Sequence, residues 1–178
     1  MNNGTAMKAL VDGLNEYAAD HSSLDYYQQP LPAELDGRLD QAVEEFMAVD
    51  AAGRATFQSF LSPAARSIFG IYGHRAATRA VRENSQELLQ LGLVAAAIAN
   101  YVVPQHRRVE VGLAVYHHSA VKLGLSPSDL FATAATYAED DLAAQLTAFG
   151  RRGDVTLKRF GWKEVQTADG VQFKYDWK

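Results

Sequence analysis

The segment from Leu88 to Val103 constrains this chain more than any other. It is 16 residues long and apolar on every side, interrupted only by Gln90 and Asn100. A membrane-spanning helix needs about 20 such residues, so the segment predicts a buried helix at the centre of a helical fold. A helix of that kind must be covered on all faces, and the rest of the chain has to supply the cover.

The remaining sequence is built to do so. Hydrophobic residues make up 48% of the 178, and charged residues 21%, which is ordinary for a globular chain and too apolar for a disordered one. One domain over 1–178 is expected at this length. Leu10, Leu14, Tyr17 and Ala18 recur at helical spacing and predict a helix from about Thr5 to Asp20. A polar loop carrying Tyr26 and Tyr27 is expected next, up to Pro32. Leu35, Leu39, Ala42, Val43, Phe46 and Met47 then form an apolar stripe, with Gly53 punctuating it and a short turn or helix around Phe57, Phe60 and Leu61. Ser62-Pro63 opens a helix to about Glu83 in the favoured order of cap and first-turn proline. Gly70 and Gly73, with Ala76, Ala77 and Ala80, give that helix a small-residue face suited to close approach by a neighbour.

Asn84-Ser85-Gln86-Glu87 has the form of a capping box, with Asn84 accepting and Glu87 reaching back. Pro104 is expected to begin the following helix, which Gly124 stops. In that helix Val109, Leu113, Tyr116, Ala120 and Leu123 line one face, and Val111 and Val115 another, so it is expected to pack on two sides. Ser126-Pro127-Ser128-Asp129 caps a last helical region to Phe149, read either as one helix or as two, with Glu139-Asp140-Asp141 starting the second. After Gly150 the pattern changes. Trp162–Thr167, Ala168-Asp169-Gly170 and Val171–Trp177 alternate aromatic and polar residues about a turn and predict a β-hairpin at about 161–177. Two strands are marginal alone, so it should dock through Trp162, Phe173, Tyr175 or Trp177. The expected fold is an all-α compact multi-helix bundle with a small docked hairpin; a short stack of helical hairpins is the other arrangement considered. The acidic helices at about 5–50 precede the core helices at about 63–149.

Composition excludes several chemistries. Cysteine is absent, so disulfides and thiol catalysis are excluded, which fits a reducing compartment. The residues after Met1 show no basic start followed by an apolar core, so no signal peptide is expected, and a soluble cytoplasmic protein of bacterial type is. No Gly-x-Ser-x-Gly elbow and no glycine-rich phosphate loop occurs, and no cofactor is expected. The net charge is −4 and the pI about 5.7, against the strongly basic footprint of a nucleic-acid binder.

Charge is placed unevenly. Residues 1–50 carry ten acids against Lys8 and Arg38. The leading expectation is therefore a non-enzymatic protein-interaction module whose acidic surface, at Asp40, Glu44 and Glu45, docks a protein partner or a second copy. By analogy of composition alone, a small antitoxin or immunity protein would meet a basic partner in this way.

Two other functions are considered. A metal-dependent phosphohydrolase would gather His74, either His117 or His118, and Asp140 or Asp141 round a cation to activate a water. The order of these residues resembles in outline the helical HD-type phosphohydrolases, but the contiguous His-Asp pair of that family occurs nowhere in the chain. Adjacent helical residues do not face one ion together, so His117 and His118 cannot both join His74. A sensor of small anions would use Arg75, Arg79 and Arg82, which share a helix face at i, i+4, i+7 and carry forked donors suited to phosphate or carboxylate.

Overall fold

The aliphatic segment, as far as Ala99, lies in a helix packed between two groups of other helices. The computed structural model describes residues 3–19, 33–99, 109–168 and 170–175. Among these, eight α-helices precede a two-stranded antiparallel hairpin, giving an all-α bundle with a small β appendage. The helices are α1 (Asn3–Ala19), α2 (Ala33–Ala48), α3 (Ala51–Phe60), α4 (Pro63–Glu83), α5 (Gln86–Ala99), α6 (Val109–Lys122), α7 (Pro127–Ala135) and α8 (Asp140–Gly150). A 3₁₀ turn, Lys158–Phe160, leads into β1 (Trp162–Thr167) and β2 (Gly170–Tyr175). None of the described helices is long and apolar enough to cross a membrane.

α4 and α5 form an antiparallel helical hairpin that acts as a wall between two apolar groups. On one side, Val11 and Leu14 of α1, Leu39, Val43 and Phe46 of α2, and Phe57 of α3 pack against Ile68 and Phe69 of α4 and Val94 and Ile98 of α5. Phe57 meets Phe46 and Phe69 edge-on, with ring centroids 5.6 and 6.2 Å apart. On the other side, Leu89, Leu93 and Ala97 of α5 pack with Leu113 and Tyr116 of α6, Phe131 of α7, Phe149 of α8 and Trp162 and Phe173 of the hairpin. Full burial of one such aliphatic side chain stabilises by roughly 1.5–3 kcal/mol, so α5, which contributes to both groups, organises the fold. α6 is buried along nearly its whole length, as its two apolar faces require.

The helix boundaries follow the cap chemistry, with some corrections. Ser62 and Ser126 cap α4 and α7 through the backbone N–H groups of Ala65 and Asp129. Gly124, at φ +73°, ends α6 where the Leu125 N–H bonds back to the Ala120 carbonyl. The capping box is read one residue early from the sequence. Asn84 does not start α5: it ends α4 in the left-handed conformation, at φ +52°, and Ser85 accepts from the Leu88 N–H instead. Gly53 does not break the chain either. Asp50 caps α3 through the Gly53 N–H, and the glycine lies inside the first turn of a ten-residue helix. The last helical region is two helices, α7 and α8, separated at Thr136–Glu139. Gly170, expected in the hairpin turn, is the first residue of β2 opposite Thr167, because the register runs Trp162↔Tyr175 to Thr167↔Gly170. Pro104, Tyr26, Tyr27, Asp169 and Trp177 lie outside the described residues.

Candidate functional site: an acid-rimmed cleft between α2 and α5

α2 is strongly two-sided. Leu35, Leu39, Ala42, Val43 and Phe46 are buried, while Glu44 is exposed and Met47 half-buried at the edge of the apolar stripe. That edge faces the first turns of α5. Between them lies an open cleft of about 670 Å³. Glu44, Met47 and Ala48 line it from α2, and Gln86, Glu87, Gln90 and Leu91 from α5. Met47 and Leu91 give it an apolar floor, and Glu44 and Glu87 an acidic rim. A second, smaller cavity of about 170 Å³ adjoins it, sharing Gln86 and Gln90 and reaching Asp129 and Thr133 of α7. The Gln90 side-chain nitrogen is enclosed and has no hydrogen-bond partner.

Of the acidic residues expected to meet a partner, only Glu44 lines this cleft. Glu45 accepts from the side-chain amide of Gln41, one turn earlier, at 3.2 Å. Asp40 is half-buried and accepts from the Tyr72 hydroxyl, so it ties α2 to α4. Met47, Leu91, Gln86, Gln90 and Glu87 were not singled out by sequence. Leu91 and Gln90 belong to the apolar run that reads as core, and Glu87 reads as a capping acid.

The arginines of α4 are spread over different contacts. Arg79 pairs with Glu83 at 3.3 Å, and the aliphatic part of Arg82 lies against Gly170 of the hairpin. Arg75 is half-buried beside His74. After α8, Arg152 grips Asp154 with two hydrogen bonds, at 2.9 and 3.0 Å, and lies over the rings of Phe149 and Phe160.

The histidines occupy separate environments. His74 stacks on the Trp162 indole, with ring centroids 5.0 Å apart, and its Nε2 donates to the Phe173 carbonyl at 3.3 Å. Burial pushes its pKa down to about 4, helped by the nearby Arg75 charge and opposed by that hydrogen bond. His117 is buried and donates from Nε2 to the Arg152 carbonyl at 3.0 Å, while His118 faces the Phe173 ring. Burial lowers the pKa of both. Asp140 and Asp141 sit exposed in the first turn of α8, where the helix dipole favours acids. Among the described residues, no three His, Asp or Glu side chains come together in a way that would hold a metal ion.

No protein-family model matches this chain, and neither the curated proteins nor the solved structures contain a significant match to it.

Proposed function

We propose that the chain is a protein-interaction module and that the α2–α5 cleft receives a basic amphipathic segment of a partner protein. The observation that carries this reading is the pairing of an apolar floor, Met47 and Leu91, with an acidic rim, Glu44 and Glu87, in one cleft. A helix or strand with leucine-like residues on one edge and lysine or arginine on the flanks matches both properties. The excess of acids over the first 50 residues would steer such a partner toward this end of the molecule.

The test uses a defined probe. Isothermal titration with a helical Leu/Ala/Lys peptide should give saturable binding that weakens with salt, and an otherwise identical Leu/Ala/Glu peptide should give none. Each rim contact is worth about 0.2–1 kcal/mol, and reversing a charge replaces attraction by repulsion. The double variant E44K/E87K should therefore bind about tenfold or more weakly. Equal binding of both peptides, or of the wild type and E44K/E87K, would overturn the reading.

A further inference from the structure

Three imidazoles lie under the C-terminal part of the chain, and burial works against a second proton on each. His117 spends its Nε2–H on the Arg152 carbonyl, so its Nδ1 carries a lone pair, and that atom is enclosed with no partner. Its ring is walled by Phe131 and Phe149, at centroid distances of 6.1 and 5.7 Å. His118, one residue on, presents an enclosed Nε2 without a partner and meets Phe173 edge-on at 5.6 Å. His74 stacks flat on Trp162 and gives its Nε2–H to the Phe173 carbonyl. The same hairpin residues, Trp162 and Phe173, therefore rest on His74 and His118 from two different helices. Two further ties are the Trp162 indole N–H, which donates to the Val111 carbonyl at 2.6 Å, and the ion pair between Lys122 of α6 and Glu164 of β1.

We propose that the β1–β2 hairpin is an acid-opened latch, held against α4 and α6 by the uncharged rings of His74 and His118.

A neutral imidazole packs as a flat, weakly polar ring. A second proton makes it a cation with an N–H that needs an acceptor, and at His118 Nε2 no acceptor is present. The charges around each ring bear on this unequally. His74 has the Arg75 guanidinium on its own helix, which opposes protonation, and only a backbone carbonyl from β2 in its favour. His118 has Glu164 of β1 in favour, with Lys122 and His117 of α6 against, and Glu164 is itself paired with Lys122. His117 faces Arg152 and Asp154 of the segment before the hairpin, and these act in opposite directions. Desolvation outweighs the favourable contacts at all three rings.

The sign follows. The undocked hairpin leaves an ordinary imidazole that takes its proton near pH 6.5, whereas docked His74 resists until about pH 4. The closed state is favoured above pH 6.5 and loses ground as pH falls through that window. His74 alone shifts the closed-to-open ratio by roughly two orders of magnitude between the two limits.

Trp162 reports the event directly, and the substitution W177F leaves it the single tryptophan. In that background, emission should shift to the red between pH 6.5 and 4 while far-ultraviolet helix ellipticity holds. H74Q keeps an N–H donor for Phe173 and cannot titrate, so H74Q/H118Q should show no emission change above pH 4. Joint loss of emission and ellipticity at one midpoint, unchanged in H74Q/H118Q, would overturn the latch, as would wild-type-like emission down to pH 4. If H74Q/H118Q is already open at neutral pH, proton NMR of the unsubstituted protein decides. The Trp162 indole N–H must then move with the His74 and His118 ring protons, and independent titration overturns the proposal.

Discussion

Gly73 and Gly92 face each other across the crossing of α4 and α5 with no room for a methyl group on either. A β-carbon on Gly73 would lie 2.5 Å from the Gly92 carbonyl oxygen, and one on Gly92 would lie 2.8 Å from the Gly73 carbonyl oxygen. Both obstacles are backbone, which does not move aside as a flexible side chain does. The Tyr116 hydroxyl of α6 closes the same spot from the other side of the pair.

This contact separates two kinds of helical glycine. G73A and G92A should each lower stability by about 1–3 kcal/mol, because overpacking outweighs the better helix propensity of alanine. Gly37 lies inside α2 with nothing within 4 Å of a built β-carbon, so G37A should raise stability by roughly 0.5–1 kcal/mol. Urea denaturation of the three variants checks the contrast. A stabilised G73A would mean that α4 and α5 do not cross so closely.

The caps give a second contrast. Ser85 and Ser126 each hold a first-turn N–H, so S85A and S126A should each cost about 1 kcal/mol in chemical denaturation. At Asn84 the left-handed backbone is the constraint and no cap bond to α5 is lost, so N84G should be near neutral or stabilising, while N84A should cost about 1 kcal/mol. If Asn84 were the cap, as its place in the sequence implies, N84G and N84A would both be tolerated less well than S85A.

The same residues mark what was legible in the sequence. Caps of Ser-Pro form, the two-sided pattern of α6 and the small-residue face of α4 are local signals, and they place helices to within a few residues. Asn84-Ser85 defeats that reading because asparagine ends helices in the left-handed conformation as well as beginning them, and only the φ of Asn84 decides. The partner glycine of Gly73 was hidden inside the aliphatic run, since nothing local says which turn of α5 it meets. The cleft was half-legible for a related reason. The acidity of α2 shows in sequence, but the apolar floor joins residues more than 40 positions apart, and Met47 and Leu91 read equally well as core.

Asp40 and Glu44 stand one turn apart on α2 and should behave differently. The Tyr72 hydroxyl donates to the Asp40 carboxylate, and a hydrogen bond to a charged group contributes about 1.5–3 kcal/mol. Y72F should therefore lower stability by roughly that amount, and D40K should do at least as much damage. Glu44 is exposed and its reversal should change stability by no more than about 0.5 kcal/mol. Thermal melts of Y72F, D40K and E44K check this. A stable D40K would return Asp40 to the candidate docking surface, and an unstable E44K would disqualify it as a probe of binding.

Asp154 sets the acid behaviour of the turn between α8 and the hairpin. Its hydrogen bonds from Arg152 come first among the causes that hold its pKa down to about 2, with Arg159 adding a third cationic contact at 3.0 Å. A depressed carboxylate contributes stability above its unfolded value near 3.8 and loses it as pH falls through about 2. D154N removes the titrating group but leaves Arg152 its contact with Glu110 and its place over the Phe149 and Phe160 rings. The urea midpoint of D154N should therefore be lower than wild type at pH 5, and the two should converge as pH approaches 2. Parallel curves across that range would mean that the Arg152–Asp154 pair has no net influence on the folded state.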